Sequence, residues 1–379
     1  MNEIKSLLVL ADGRTAGRLA LTRDGLAAFE YDAEWLRSGF ALSPFSLPLQ
    51  KGVFIPQRGN PFSGAFGVFA DSLPDGWGRL LVDRMLMGNG VDPHTLTVLQ
   101  RLSIVGSSGM GALSYIPETS ISDNTSHGKS LDELAAACAE IFRSSQSEDL
   151  DELYRLGGSS GGARPKILTS YNGEDWIIKF PSSMDAPNSG EAEYAYSVCA
   201  KECGIDMPET KLFPSRKCGG YFGVKRFDRI KDNGQVRRVH MVSVAALLET
   251  DFRIPNLDYN DLMLLTLKLT KDYGEVEKLF RLMTFNVFAH NRDDHSKNFS
   301  FIYNEDKRQW RLSPAYDLTY SNSIGGEHAT CVNGNGRNPD AKDLLAVAQK
   351  IGIDTKRAKT FIEEIREHTK ALKEYINRG

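Results

Sequence analysis

Cysteine is scarce in this 379-residue chain and poorly placed for cross-linking. There are five, Cys138, Cys199, Cys203, Cys218 and Cys331, an odd and scattered set. No spaced group of Cys and His completes a zinc site, and His290 and His295, near Asp293, lack a third spaced ligand. The expectation is reduced thiols in a cytoplasmic protein. Long apolar runs are missing as well. No stretch reaches the roughly 18 apolar residues of a membrane span, and the opening MNEIKSLLVLADGR holds too short an apolar run for a signal peptide. Neither sign of charge dominates: 46 Lys and Arg against 49 Asp and Glu leave −3, no overall reason to expect nucleic-acid binding. No internal repeat is found. What is present, 41% hydrophobic and 25% charged residues, is the composition of a soluble globular protein long enough for two or three packed units.

Three units are expected, at 1–118, 119–242 and 243–379. In the first, short apolar runs at 6–10, 15–21 and 26–31 are separated by Asp12-Gly13 and Asp24-Gly25, which are hairpin turn signals. Leu73-Pro74-Asp75-Gly76-Trp77-Gly78 leads into a helix over 79–87, and a second helix is expected over 92–102 with Pro93 near its start. A polar linker covers 119–130, after which Ser130 and Glu133 form a capping-box pattern. Two hairpins are expected next, 166–171 with 176–180 and 221–228 with 236–241 around Asp232-Asn233-Gly234. A helix over 191–203 lies between them and ends at Gly204. Beyond Ser243 the pattern is helical at 261–269, 275–289, 341–351 and 355–378, interrupted by a short hairpin, 299–303 with 309–312.

Three constellations carry chemistry. The first is Gly157-Gly158-Ser159-Ser160-Gly161-Gly162-Ala163-Arg164-Pro165-Lys166. Its glycines let backbone N–H groups approach a phosphate, although no Gly-Lys-Ser/Thr follows at Walker A spacing. The second is Lys179 in a strand of Trp and Ile, which either snorkels to solvent or points at an anion; in the second case it would meet nucleotide phosphates, steadied by a carboxylate from the next helix, Glu193 or Glu191. The third is His290-Asn291-Arg292-Asp293, then His295, Lys297 and Asn298, then Pro314-Ala315-Tyr316-Asp317 behind the short hairpin. Phosphoryl transfer asks for one carboxylate to orient the attacking hydroxyl and two further oxygens for magnesium. Asp293 is the candidate base, and Asn298 and Asp317 are the candidate ligands, in the order that protein kinases use. The bland alternative is a polar loop with Asp293 and Asp294 in a surface ion-pair cluster.

At these residues the chain resembles the HipA-type serine/threonine kinases, toxin components of bacterial toxin–antitoxin pairs. The resemblance runs along nearly the whole length. It is carried by 69–77, 111–114, 162–166, Val224-Lys225-Arg226-Phe227-Asp228-Arg229, 333–345 and above all Asp293-x-His295-x-Lys297-Asn298-Phe299 with Pro314-x-Tyr316-Asp317. It implies an α+β, kinase-like two-lobe fold: an α/β N-terminal subdomain, a β-rich nucleotide lobe and a mainly helical catalytic lobe. It implies ATP and Mg2+, with Asp293 catalytic, Asn298 and Asp317 on the metal, and His295 and Lys297 in support. Nucleotide contacts are implied from Ser159, Ser160, Gly161, Gly162, Ala163, Lys166 and Lys179. Inhibitory autophosphorylation is implied at the serine opening the loop, which matches Ser159; Ser160 departs from the single-serine pattern. Backbone groups of Met241–Ser243 would hold adenine where the best-known members place acidic and aromatic residues. The implied protein substrate is a translation component such as an aminoacyl-tRNA synthetase. The implied partner is a DNA-binding antitoxin of the HipB type, with DNA reached only through it and no membrane association. A small-molecule kinase and a nucleotide-binding module without phosphotransfer are the alternatives.

Overall fold

The structure, a computed structural model, describes residues 3–122, 128–144, 149–182, 185–186, 188–232, 234–323 and 325–376. The chain divides into a sheet-rich unit of residues 1–190, 212–242 and 246–250 and a helix-rich unit of residues 191–211, 243–245 and 251–379. This is the two-lobed α+β architecture expected. Among the described residues no helix is long and apolar enough to cross a membrane.

In the first unit the Asp12-Gly13 turn takes positive φ at both residues, 46° and 77°, as a two-residue hairpin loop requires. It joins Ser6–Ala11 to Arg14–Leu21, the centre of a five-stranded antiparallel sheet completed by Ala27–Tyr31, Val53–Phe54 and Leu113–Ile116. Leu7, Val9 and Ala11 alternate inward and are buried. The helix expected over 92–102 is instead a 3-10 turn, Pro93–Thr95, and a separate helix, Val98–Val105. Leu96 is extended, and Thr97 opens the second helix with a capping box to Gln100, so the helical path restarts there. The Ser130 capping box does start a helix, Leu131–Arg143. With Gly76–Gly88 and Leu150–Gly157 it buries Trp77, Leu81, Leu134, Cys138, Ile141 and Leu153 against Ile167, Trp176, Ile178 and Phe180 of the second sheet. Of the expected linker, 123–127 lie outside the described residues.

That second sheet orders its strands Lys166–Tyr171, Glu174–Lys179, Tyr221–Lys225 and Thr210–Phe213. The pairing expected between 221–228 and 236–241 does not form. Tyr221–Lys225 pairs with Glu174–Lys179, while Arg229–Asp232 pairs with Gln235–Arg238. The break has a cause. Asp228 is 1% exposed and accepts from Arg226 Nε (2.9 Å) and Nη2 (2.7 Å), Arg229 Nη1 (2.8 Å) and Gly111 N (2.7 Å), which draws the chain out of the strand. Burial alone would push this carboxyl up, but the two guanidiniums and the amide hold it below the usual range.

In the helical unit, Tyr259–Thr270, Tyr273–Phe288, Ala341–Ile351 and Thr355–His368 follow the apolar periodicity, each opened by an aspartate N-cap. The last expected helix is shorter than 355–378. It passes into a 3-10 turn, Thr369–Leu372, and a final turn, Lys373–Ile376. Ser300–Asn304 and Gln309–Leu312 form the expected hairpin. A short parallel pair that was not anticipated joins Leu257–Asp258 to Thr330–Cys331.

Candidate active site

Helix Tyr273–Phe288 buries Val276, Leu279, Phe280, Met283 and Phe285, so its C-terminal end is a fixed platform. The chain leaves it through His290, whose φ is +51°, a left-handed turn rare outside glycine. Burial, with Arg292 and His328 nearby, lowers the His290 imidazole from its ordinary value. From here the loop alternates sharply in exposure. The Asp293 side chain is 59% exposed and that of Asp294 is fully buried, so the pair is no surface ion-pair cluster.

Asn298 sits at the end of a 3-10 turn, Ser296–Asn298, capped by His295 Nδ1, which accepts from Lys297 N at 3.3 Å. His295 Nε2 stands 3.8 Å from Asp293 Oδ1. Asn298 Nδ2 donates to the Asp293 main-chain carbonyl at 2.6 Å. With the amide nitrogen so used, the side-chain oxygen is the group Asn298 has to offer a cation. The same turn is tied to the second candidate ligand. Tyr316, next to Asp317, donates its hydroxyl to Lys297 O at 2.7 Å and shares a 2.6 Å bond with Ser300 Oγ. Asp317 itself has φ +54°, and two left-handed non-glycine residues in one polar cluster mark it as a place where backbone strain is tolerated. Among the described residues no three or more His, Cys, Asp and Glu converge as a metal cluster. Two protein oxygens that leave positions for phosphates and water fit magnesium, and do not fit a closed protein cage. Lys297 lies over the Phe252 ring at 5.1 Å, and Phe252 tilts against His295 at the same distance. Glu193, on helix Ser189–Glu202, is buried and Glu191 is half-buried.

In the sheet-rich unit the glycine-rich run follows helix Leu150–Gly157, which the sequence pattern did not announce. Ser160 is 2% exposed and donates to Gly157 O at 2.6 Å; Ser159 is less buried and donates to Ser108 O at 3.0 Å. Gly162, at φ +87°, donates its N–H to Asp75 Oδ1, and its carbonyl accepts from Trp77 N at 3.0 Å. The start of helix Gly76–Gly88 thus backs the loop. A Cβ on Gly78 would stand 2.3 Å from Ser160 O, so only glycine lets the two backbones meet. Ala163 is exposed. Lys166 and Lys179 face each other directly across the two strands, on one side of the sheet. Like charges so placed repel, and the site tolerates them: Lys166, 6% exposed, donates to Gly161 O at 2.6 Å, and Lys179 lies 5.6 Å from the Phe222 ring. In the short strand Met241–Ser243, Met241 is half-buried and Ser243 is buried. The roles of Asp75 and Tyr316 were not singled out from sequence; Tyr316 was visible only as part of Pro314-x-Tyr316-Asp317.

Comparison with known proteins agrees in kind. Residues 158–372 match the HipA-like C-terminal domain, and residues 7–116 match the HipA N-terminal domain. The chain is 29% identical to Y4dM of Sinorhizobium fredii over 49% of its own length and 49% of that protein, so it spans about half of that relative. It is 24% identical to the serine/threonine-protein kinase toxin HipA of Shewanella oneidensis, over 77% of this chain and 69% of that one. Among solved structures, a chain of the Shewanella oneidensis MR-1 complex of HipA, HipB and operator DNA superposes with a TM-score of 0.71 at 20% identity, covering 98% of this chain and 90% of that one. That likeness is one of fold.

Proposed function

The chain belongs to the HipA family, carrying its N-terminal and C-terminal domains in order, and from that premise we propose that it is an ATP- and magnesium-dependent protein serine/threonine kinase. The observation that carries the reading is the exposed Asp293 carboxylate on a loop whose own carbonyl is clasped by Asn298 Nδ2 at 2.6 Å. That bond supports reading Asp293 as the base and Asn298 as a metal ligand on the same turn. Tyr316 ties Asp317 to the same turn.

In this reading Asp293 orients the acceptor hydroxyl and takes its proton as the oxygen bonds to the γ-phosphorus and the bond to ADP breaks. Asn298 and Asp317 would hold magnesium, which when bound neutralises charge on the phosphates. Lys166, Lys179 and the amides of Gly161 and Ala163 would receive the phosphates, the Gly162 amide being engaged by Asp75 Oδ1. Backbone groups of Met241 and Ser243 would take adenine. The substrate proposed is a component of translation such as an aminoacyl-tRNA synthetase, and the partner an antitoxin of the HipB type through which DNA is reached. Self-inhibition would proceed by phosphorylation of the loop serines. Incubation with labelled ATP and magnesium tests the reading. Transfer to protein that falls by about 10²–10⁴ in Asp293→Ala is expected; an unlabelled wild-type protein refutes it.

A further inference from the structure

Asp294 is the opposite of its neighbour. Its carboxylate is fully enclosed, and an enclosed carboxylate costs several kcal/mol unless donors surround it. Three do. Tyr259 OH and His328 Nδ1 each donate to Oδ2 at 2.9 Å, and Thr330 N donates to Oδ1 at 3.2 Å. The Asp294 carbonyl also accepts from Thr330 Oγ1 at 2.5 Å. An ionised carboxylate only accepts, so His328 carries its proton on Nδ1. Burial and the adjacent Asp294 charge push the Tyr259 phenol well up, which keeps it a donor.

The network reaches in two directions. Through Tyr259 it continues to Asn286 Nδ2 (3.0 Å), and Asn286 Oδ1 accepts from Asn291 Nδ2 (2.9 Å), so the loop is moored to the last turns of helix Tyr273–Phe288. Through His328 and Thr330 it holds the segment that begins at Asp317. That segment is laid along the loop by backbone bonds as well: Arg292 N to Ser321 O (3.2 Å), Ser321 N to His290 O (3.1 Å) and Ala329 N to Arg292 O (3.1 Å). A single buried charge therefore joins the helix, the Asp293 loop and the strand end downstream of Asp317.

We propose that Asp294 is a positioning residue for phosphoryl transfer. Its enclosed carboxylate fixes the loop carrying Asp293 against the segment that starts at Asp317, so base and metal ligands keep one relative placement. This rests on the kinase reading above. The test compares wild type, Asp293→Ala, Asp294→Asn, Tyr259→Phe, His328→Ala and His328→Asn in magnesium-dependent transfer from labelled ATP, with thermal melting in parallel. Asp294→Asn should lower kcat by about 10–100-fold, the range for groups that orient ligands, with KM for ATP within about threefold and a cooperative melt retained. His328→Ala should behave likewise, and His328→Asn, whose amide can replace the Nδ1–H donor, should recover most of that loss. Should Asp294→Asn fail to fold, Tyr259→Phe removes one donor without altering volume much and should still lower kcat at unchanged KM. Wild-type kcat in Asp294→Asn or Tyr259→Phe, a loss no greater than the loss of folded protein, or no recovery in His328→Asn overturns the inference alone. Absence of transfer in wild type overturns the kinase reading and this inference together.

Discussion

His240 offers a sharp thermodynamic test because it is sealed inside the sheet-rich unit. It is 2% exposed, its ring lies 5.2 Å from that of Phe40, and Nε2 meets Leu42 O at 2.8 Å. A carbonyl only accepts, so the neutral ring keeps its proton on Nε2. Burial pushes the imidazole down from 6.5 to about 4, against a smaller upward pull from the Leu42 carbonyl. In the unfolded chain the group binds a proton below its ordinary 6.5, whereas in the fold it does so only below about 4. Between those values the unfolded state holds more protons. Stability is therefore full above pH 6.5, falls as the pH drops through this window, and has lost the whole contribution below about 4. At about 1.4 kcal/mol per pH unit the gap amounts to roughly 3 kcal/mol. For a unit of this size that is about 6–12 °C in Tm. The perturbation is His240→Gln, whose amide can still donate to Leu42 O but does not titrate. Thermal melts of both proteins from about pH 7.5 to 4.5 should diverge, with wild type losing more on acidification by most of that amount. Parallel curves would show that His240 is not held neutral by burial.

Removing the Lys179 ammonium in Lys179→Met should weaken nucleotide binding at least about tenfold, the loss of one charge-assisted contact to the phosphates; calorimetry measures it, and unchanged affinity would remove Lys179 from the site. Ser160 is enclosed and Ser159 is not, so self-labelling should fall on Ser159. Mass spectrometry should find phosphate lost in Ser159→Ala and kept in Ser160→Ala. Asp228→Ala leaves Arg226, Arg229 and the Gly111 amide without their buried acceptor and should cost about 3–5 kcal/mol in denaturant titration, the usual penalty for breaking a buried pair. Asp317→Ala should abolish magnesium-dependent nucleotide binding along with turnover, and unchanged affinity for Mg-ATP would remove Asp317 from the site.

Much of this protein was legible along the chain because the rules involved span only a few residues. Asp12-Gly13 needs positive φ at both positions, Ser130 and Glu133 satisfy each other's amides, and the apolar stripes of 275–289 and 341–351 repeat with the helix. The order Asp293, Asn298, Asp317 was legible for the same reason, since a loop, a short hairpin and a return are all local. Packing decided the rest. Nothing near Asp293 and Asp294 in sequence says which faces solvent; Tyr259, His328 and Thr330, distant along the chain, take Asp294 inward. The expected pairing of 221–228 with 236–241 failed because a buried charge network outweighed strand propensity. The facing of Lys166 and Lys179 depends on strand register, and the bracing of the glycine loop depends on Asp75 from another segment. Short-range stereochemistry and capping are written in neighbouring residues, whereas burial of charge and sheet register are settled only when distant segments exclude water together.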